Sequence, residues 1–137
     1  MSGGCLVELG PLCRLLLLLA GLGLPERVGF LIGYTSARGA SRVAAYYAVE
    51  NAAAEPGAFE SNPLDVVAAH RAAWSLGVDV VGVFHTHPTG PPKPSSRDIE
   101  NMRLWPIIWV IASPLGIAAY KPRDREAGLE ECAVRCL

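Results

Sequence analysis

The stretch Val80-Val81-Gly82-Val83-Phe84-His85-Thr86-His87-Pro88 decides how this chain is read. Its apolar half is short, β-branched and free of charge, the signature of a buried strand. Along a strand, residues two apart share a face, so His85 and His87 point together while Thr86 points away. Pro88 offers no N–H to a ladder and stops the strand. A Pro-rich loop from Thr89 to Pro94 follows, and Asp98 arrives at the start of the next segment. Two histidines and a carboxylate form a common catalytic zinc set: three protein ligands, with a fourth position left for water.

Ser95-x-x-Asp98 has a second reading. It is a variant of the capping box, in which the serine caps a helix and the acidic side chain returns to the cap N–H. A single histidine at a strand end is likewise an ordinary polar residue. The fused spacing His-x-His-Pro-x6-Ser-x-x-Asp favours metal binding.

Residues His85-Thr86-His87-Pro88 through Pro94-Ser95-Ser96-Arg97-Asp98 resemble the signature of the JAMM/MPN+ zinc metalloprotease family, and the resemblance runs from about Gly21 to Tyr120. It implies an α/β fold with a mixed, largely antiparallel sheet flanked by helices, of the MPN/cytidine-deaminase-like kind. It also implies one Zn2+ per chain on His85, His87 and Asp98, and cleavage of isopeptide or peptide bonds after the C-terminal Gly-Gly of a ubiquitin-like modifier.

Hydrolysis needs a base that takes a proton from water and returns it to the leaving amine. Upstream stand Glu8, Glu26, Glu50, Glu55 and Glu60, and spacing alone does not choose among them. The family's catalytic glutamate immediately precedes a buried strand ending in Gly, and Glu26-Arg27-Val28-Gly29-Phe30-Leu31-Ile32-Gly33 is similar to that pattern. The resemblance therefore implies Glu26 as general base. It implies Ser95 as hydrogen-bond donor to the developing oxyanion, with Ser96 as the alternative one residue on. Thr86 stands where the family commonly carries serine.

In this family, substrate tails are extended and lie along a sheet edge beside the metal, a form of strand addition in which a narrow groove admits only glycine near the scissile bond. The loop between His87 and Asp98 is short, and no long insertion follows Trp109. The chain thus looks like a compact prokaryotic member whose partner is a ubiquitin-like or sulfur-carrier protein with a Gly-Gly tail. Two alternatives stand beside deconjugation: release of an amino acid or small adduct from a sulfur-carrier C-terminus, and a non-catalytic scaffold domain. The intact His85, His87, Asp98 and Ser95 argue against the scaffold. The loop also resembles that of RadC-like DNA-repair-associated proteins, but the missing basic patch argues against nucleic acid as a partner.

The 137 residues are read as one domain, long enough for a real core. Apolar residues make up 51% and charged residues 18%, against about 25% charged in ordinary globular chains, so a packed rather than disordered chain is expected. Net charge is -1 with no basic block. The uninterrupted apolar run from Leu15 to Leu24 is ten residues, too short to span a membrane, and leads into another apolar strand; it is read as a buried helix. A cytoplasmic protein is expected, with no membrane partner and with a homodimer left open. Cys5, Cys13, Cys132 and Cys136 contain no Cys-x-x-Cys pair. They would be reduced in an ordinary cytosol and paired in one of three ways in a hyperthermophile.

The remaining elements follow from punctuation. Cys5 to Leu9 reads as a short strand, Pro11 as the first turn of a helix running to about Gly21, and Val28 to Gly33 and Ser41 to Glu50 as paired strands. Asn51 to Ser61 reads as a loop. Asn62 or Ser61 caps a helix with Pro63 at its first position and Gly77 at its end. Val78 to Phe84 is the histidine-bearing strand. Ser95 or Ser96 starts a helix to about Leu104. Ile107 to Ser113 and Ile117 to Lys121 read as strands, and Ala127 to Cys136 as a strand or a helix, with strand favoured. His70 and the Trp105/Trp109 pair are assigned to packing, and of the adjacent Tyr46 and Tyr47 one is expected to face inward and one outward.

Overall fold

In the computed structural model, which describes residues 5–23, 25–50, 62–123 and 128–136, the histidine-bearing run forms β4 (Asp79–Thr86). In chain order the elements are β1 (Leu6–Glu8), α1 (Leu12–Ala20), β2 (Val28–Thr35), β3 (Ala40–Val49), α2 (Pro63–Ser75), β4, α3 (Ser96–Leu104), β5 (Ile108–Ser113), β6 (Gly116–Pro122) and β7 (Leu129–Arg135). Each element expected from the sequence is present. The loop assigned to Asn51–Ser61 and the Ala127 end of the last strand lie outside the described residues.

The strand order is β1-β3-β2-β4-β5-β6-β7, and β1 pairs with β7, so the sheet closes into a barrel. Antiparallel pairing joins β2 to β3 and β4, and β6 to β5 and β7; β1/β3, β1/β7 and β4/β5 are parallel. The mixed α/β sheet with flanking helices agrees with the sequence reading, while its closure through β1 is a tertiary result. A parallel neighbour cannot be reached by a tight hairpin. The chain passes from β4 to β5 through α3, and this crossover places α3 beside the end of β4.

Both faces of the sheet are covered, which is why its strands read as continuous apolar runs rather than alternating ones. Leu31, Phe84, Val110 and Ala119 pack on one face with Cys13, Leu16 and Ala20 of α1. Phe30, Val83, Trp109 and Ile111 pack on the other with Ala69 of α2 and Met102 of α3. Trp109 is fully buried and its indole N–H donates to the Trp105 carbonyl at 3.0 Å, so this pair belongs to the core. Tyr46 and Tyr47 do face opposite ways, but each is partly covered by one of the two cores, so neither is simply outward. Helix α1 departs from the expected buried helix: Leu16 is buried while Leu15 and Leu18 are exposed, because the helix meets the sheet along one stripe only.

Local chemistry sets the helix starts. Asn62 caps α2 by accepting the Leu64 N–H at 2.9 Å, with Pro63 in the first turn. In β2, Gly29 is required by close packing: a Cβ there would run into the Tyr46 ring and the Tyr47 carbonyl. The four cysteines form two disulfides, Cys5–Cys132 and Cys13–Cys136, with Cα–Cα distances of 4.7 and 5.6 Å. The first ties the residue ahead of β1 to β7, and the second ties α1 to the residue just past β7.

Candidate metal centre

Strand β4 delivers His85 from its interior and His87 from just past its end, where the His87 N–H still donates to the Ala112 carbonyl of β5 at 2.8 Å. The imidazoles converge on the face carrying Val83 and Trp109, as the two-residue period requires. Their ring centroids are 4.9 Å apart, and Trp109 packs edge-on against His85 at 6.0 Å. Asp98, in the first turn of α3, completes the group. His85 Nε2 lies 3.4 Å from Asp98 Oδ1, and His87 Nε2 lies 3.1 Å from Asp98 Oδ2. One ligand atom from each of the three residues falls within 4.8 Å of the others.

The capping-box reading of Asp98 is observed, and the same carboxylate lies in the candidate metal cluster. Ser95 Oγ accepts the Asp98 N–H at 3.1 Å and Asp98 Oδ2 accepts the Ser95 N–H at 2.8 Å, a complete capping box. The cap holds the carboxylate at the helix start, facing the histidines. Helix α3 begins at Ser96, so Ser95 and not Ser96 is the cap.

The donor set suits a divalent cation. Burial pushes the His85 imidazole down, to about 4, against the raising influence of Asp98; the ring is therefore neutral near pH 7, the state a metal needs. The hydrogen bond with Asp98 raises His87 above its ordinary value despite the opposing effect of burial. Burial pushes Asp98 up, but the hydrogen bond from His87, the electrostatic influence of the adjacent imidazoles and the Ser95 N–H outweigh it and hold the carboxyl below its ordinary value. His87 Nδ1 faces the Pro91 carbonyl at 3.5 Å, and a carbonyl only accepts. With the proton on Nδ1, the Nε2 lone pair and Asp98 Oδ2 are two acceptors facing one another, an arrangement that a proton or a cation between them relieves.

The Pro91–Pro92 segment that orients His87 is held in turn by Tyr120 of β6, whose hydroxyl donates to the Pro92 carbonyl at 3.1 Å. Nothing in local sequence spacing reports this contact, since the two residues are 28 apart.

Of the three glutamates weighed that lie among the described residues, Glu26 sits at this centre. Glu26 is 9% exposed, immediately ahead of Arg27 and β2, and close enough for its carboxyl to feel His87 and Asp98. Burial raises it above the ordinary glutamate value, with His87 lowering and Asp98 raising it. Glu8 pairs with Arg42 and Arg135, and Glu50 is exposed. Glu55 and Glu60 lie outside the described residues. His70 is away from the centre on α2, bonded through Nδ1 to the Val66 carbonyl and packed on Trp74.

A mixed sheet with a two-histidine, one-carboxylate cluster at the end of one strand makes a candidate three-ligand metal site. Over residues 23–132 the chain matches the family described as prokaryotic homologs of the JAB domain (Prok-JAB), and it belongs to that family. It is 36% identical over 91 residues to a desampylase of Pyrococcus furiosus, covering 66% of this chain and 61% of the relative. It is 41% identical over 93 residues to a desampylase of Haloferax volcanii, covering 66% and 64%. The chain thus spans less than two thirds of the length of these curated relatives. A solution structure of a protein from Desulfitobacterium hafniense shares the fold, with a TM-score of 0.80 at 23% identity over 96% of this chain and 92% of the other.

Proposed function

We propose that this protein is a zinc-dependent isopeptidase that cleaves after the C-terminal Gly-Gly of a ubiquitin-like modifier, removing it from lysine or processing its precursor. The observation that carries the reading is the convergence of His85, His87 and Asp98 beside a buried Glu26. Two desampylases among the relatives support it.

His85, His87 and Asp98 would hold the zinc, which when bound acidifies water and polarises the scissile carbonyl. Glu26 takes the proton of the attacking water and passes it to the departing lysine amine; a carboxyl raised by burial is better matched to that exchange near neutrality than an ordinary one. Ser95 has the chemistry of an oxyanion donor. Its oxygen accepts the Asp98 N–H, and the hydroxyl proton remains to be given to the developing negative charge. The partner is a ubiquitin-like or sulfur-carrier protein whose extended tail is recognised through main-chain hydrogen bonds. We place the protein in the cytoplasm, where its two disulfides would persist if the interior is of the hyperthermophile kind.

The test uses a Gly-Gly-ended ubiquitin-like protein joined to a lysine-bearing peptide. Cleavage with zinc and none with a chelator is expected. Full metal occupancy without cleavage would leave a scaffold domain. Release of a free amino acid from the carrier's tail, with no cleavage of the conjugate, would move the activity to the second hydrolase reading.

A further inference from the structure

We propose that Thr86, the residue between the two histidines, is the positioning residue that aims Glu26; this rests on the reading of Glu26 as the base. Thr86 is completely buried and points away from the metal ligands, onto the face that carries Phe84. Beyond the first residue of β2 the ladder to β4 continues for one more pair. The Thr86 N–H donates to the Arg27 carbonyl at 2.9 Å. In a regular antiparallel pair, the Arg27 N–H would return the bond to the Thr86 carbonyl. Instead it donates to Thr86 Oγ1 at 2.8 Å. The side chain has replaced the main chain as acceptor at the last rung.

This exchange bears on Glu26 because Arg27 alone separates Glu26 from the first residue of β2. Both main-chain polar groups of Arg27 are held by the one residue that lies between the metal ligands. The rung therefore ties the segment bearing Glu26 to the segment bearing His85 and His87, and any shift of one is shared by the other. A β-branched side chain is stiff about χ1, so the hydroxyl direction is set by the strand itself. Removing the acceptor leaves the Arg27 N–H to find another, and the obvious one is the Thr86 carbonyl. Taking it would restore a regular ladder and turn the chain at Glu26.

The experiment compares Thr86→Val, which keeps the shape and removes the acceptor, with Thr86→Ser, which keeps the acceptor. The probe is the Gly-Gly conjugate described above, with the zinc-loaded chain. For Thr86→Val, kcat is expected to fall about 10- to 100-fold, the scale of a misplacement near 1 Å, with KM changed less than about twofold. Zinc stoichiometry should match the parent, and the Arg27 amide should exchange with solvent faster in both the loaded and the metal-free protein. Thr86→Ser should keep kcat within about threefold of the parent. Should Thr86→Val not fold, Thr86→Cys takes its place, its thiol being a weak acceptor. Unchanged kcat in the acceptor-less variant overturns the proposal, as does a serine variant equally impaired, or a loss explained wholly by missing zinc. A Glu26→Gln chain that still turns over would sink the base assignment instead, so the two failures are told apart.

Discussion

Ser95 and Asp98 are each bonded to the other's main chain, at 3.1 Å from the Asp98 N–H to Ser95 Oγ and 2.8 Å from the Ser95 N–H to Asp98 Oδ2. The same carboxylate faces both histidines. Helix start and candidate metal ligand are one piece of structure, so a change in the cap is expected to be felt at the centre.

Ser95→Ala should therefore show two separable losses. Stability should drop by about 1 kcal/mol from the missing cap. Turnover should drop about 100- to 1000-fold from the missing oxyanion donor. Denaturant titration reads the first and steady-state kinetics the second; a rate loss no larger than the zinc loss would remove the donor role.

Glu26→Gln keeps the side-chain volume and removes the base. A fall in kcat of about 100- to 10,000-fold is expected, with zinc content at the parental level. Metal analysis on the same sample as the kinetics checks this.

His87→Ala takes away one ligand and the raised imidazole paired with Asp98. Zinc and activity should be lost together. In the parent, zinc should raise the thermal midpoint in a concentration-dependent way, and chelation should reverse the rise. Zinc retained by His87→Ala with activity intact would contradict the ligand set.

The metal-free protein should lose stability as pH falls from about 6.5 toward 4. Burial holds His85 at about 4, so over that range the unfolded chain binds its proton and the folded chain does not. Asp98, held low, opposes protonation in the same direction at still lower pH, while the raised His87 contributes stability that is lost as pH rises through its folded value. The His85 contribution lowers the free energy of unfolding at pH 5 relative to pH 7 by at most about 2 kcal/mol, and the raised His87 and Glu26 oppose it. An NMR titration of the metal-free protein in which the His85 ring protonates near 6.5 would show that His85 is not held neutral.

The disulfides should differ in accessibility and worth. Cys5 and Cys132 are both 5% exposed, whereas Cys136 is exposed. Mild reductant should open Cys13–Cys136 first. With Cys5–Cys132 in place, the second bridge closes a loop of only roughly a dozen residues, corresponding to about 3 kcal/mol. Replacing Cys13 and Cys136 by serine should thus lower the thermal midpoint by about 10 °C. Thiol labelling during reduction, followed by calorimetry of the double variant, tests both statements.

What the sequence determined by itself was local. The β-branched runs marked the strands, the two-residue period set His85 and His87 on one face, and Ser95, Asn62 and Pro63 marked where helices begin. These signals act over a few residues, where backbone geometry and cap hydrogen bonds decide the outcome. Tertiary structure alone decided the rest. It brought Glu26, alone of the three described glutamates Glu8, Glu26 and Glu50, beside His87 and Asp98, and put the cap and the candidate ligand on the same Asp98. It paired the cysteines, joined β1 to β7 across the length of the chain, left Leu15 and Leu18 of α1 exposed, and gave the Arg27 N–H to a threonine hydroxyl. The disulfides, the β1/β7 closure, the approach of Glu26 to His87 and the Arg27–Thr86 bond join residues far apart in sequence, and such contacts form only where packing offsets the entropy of closing the chain between them.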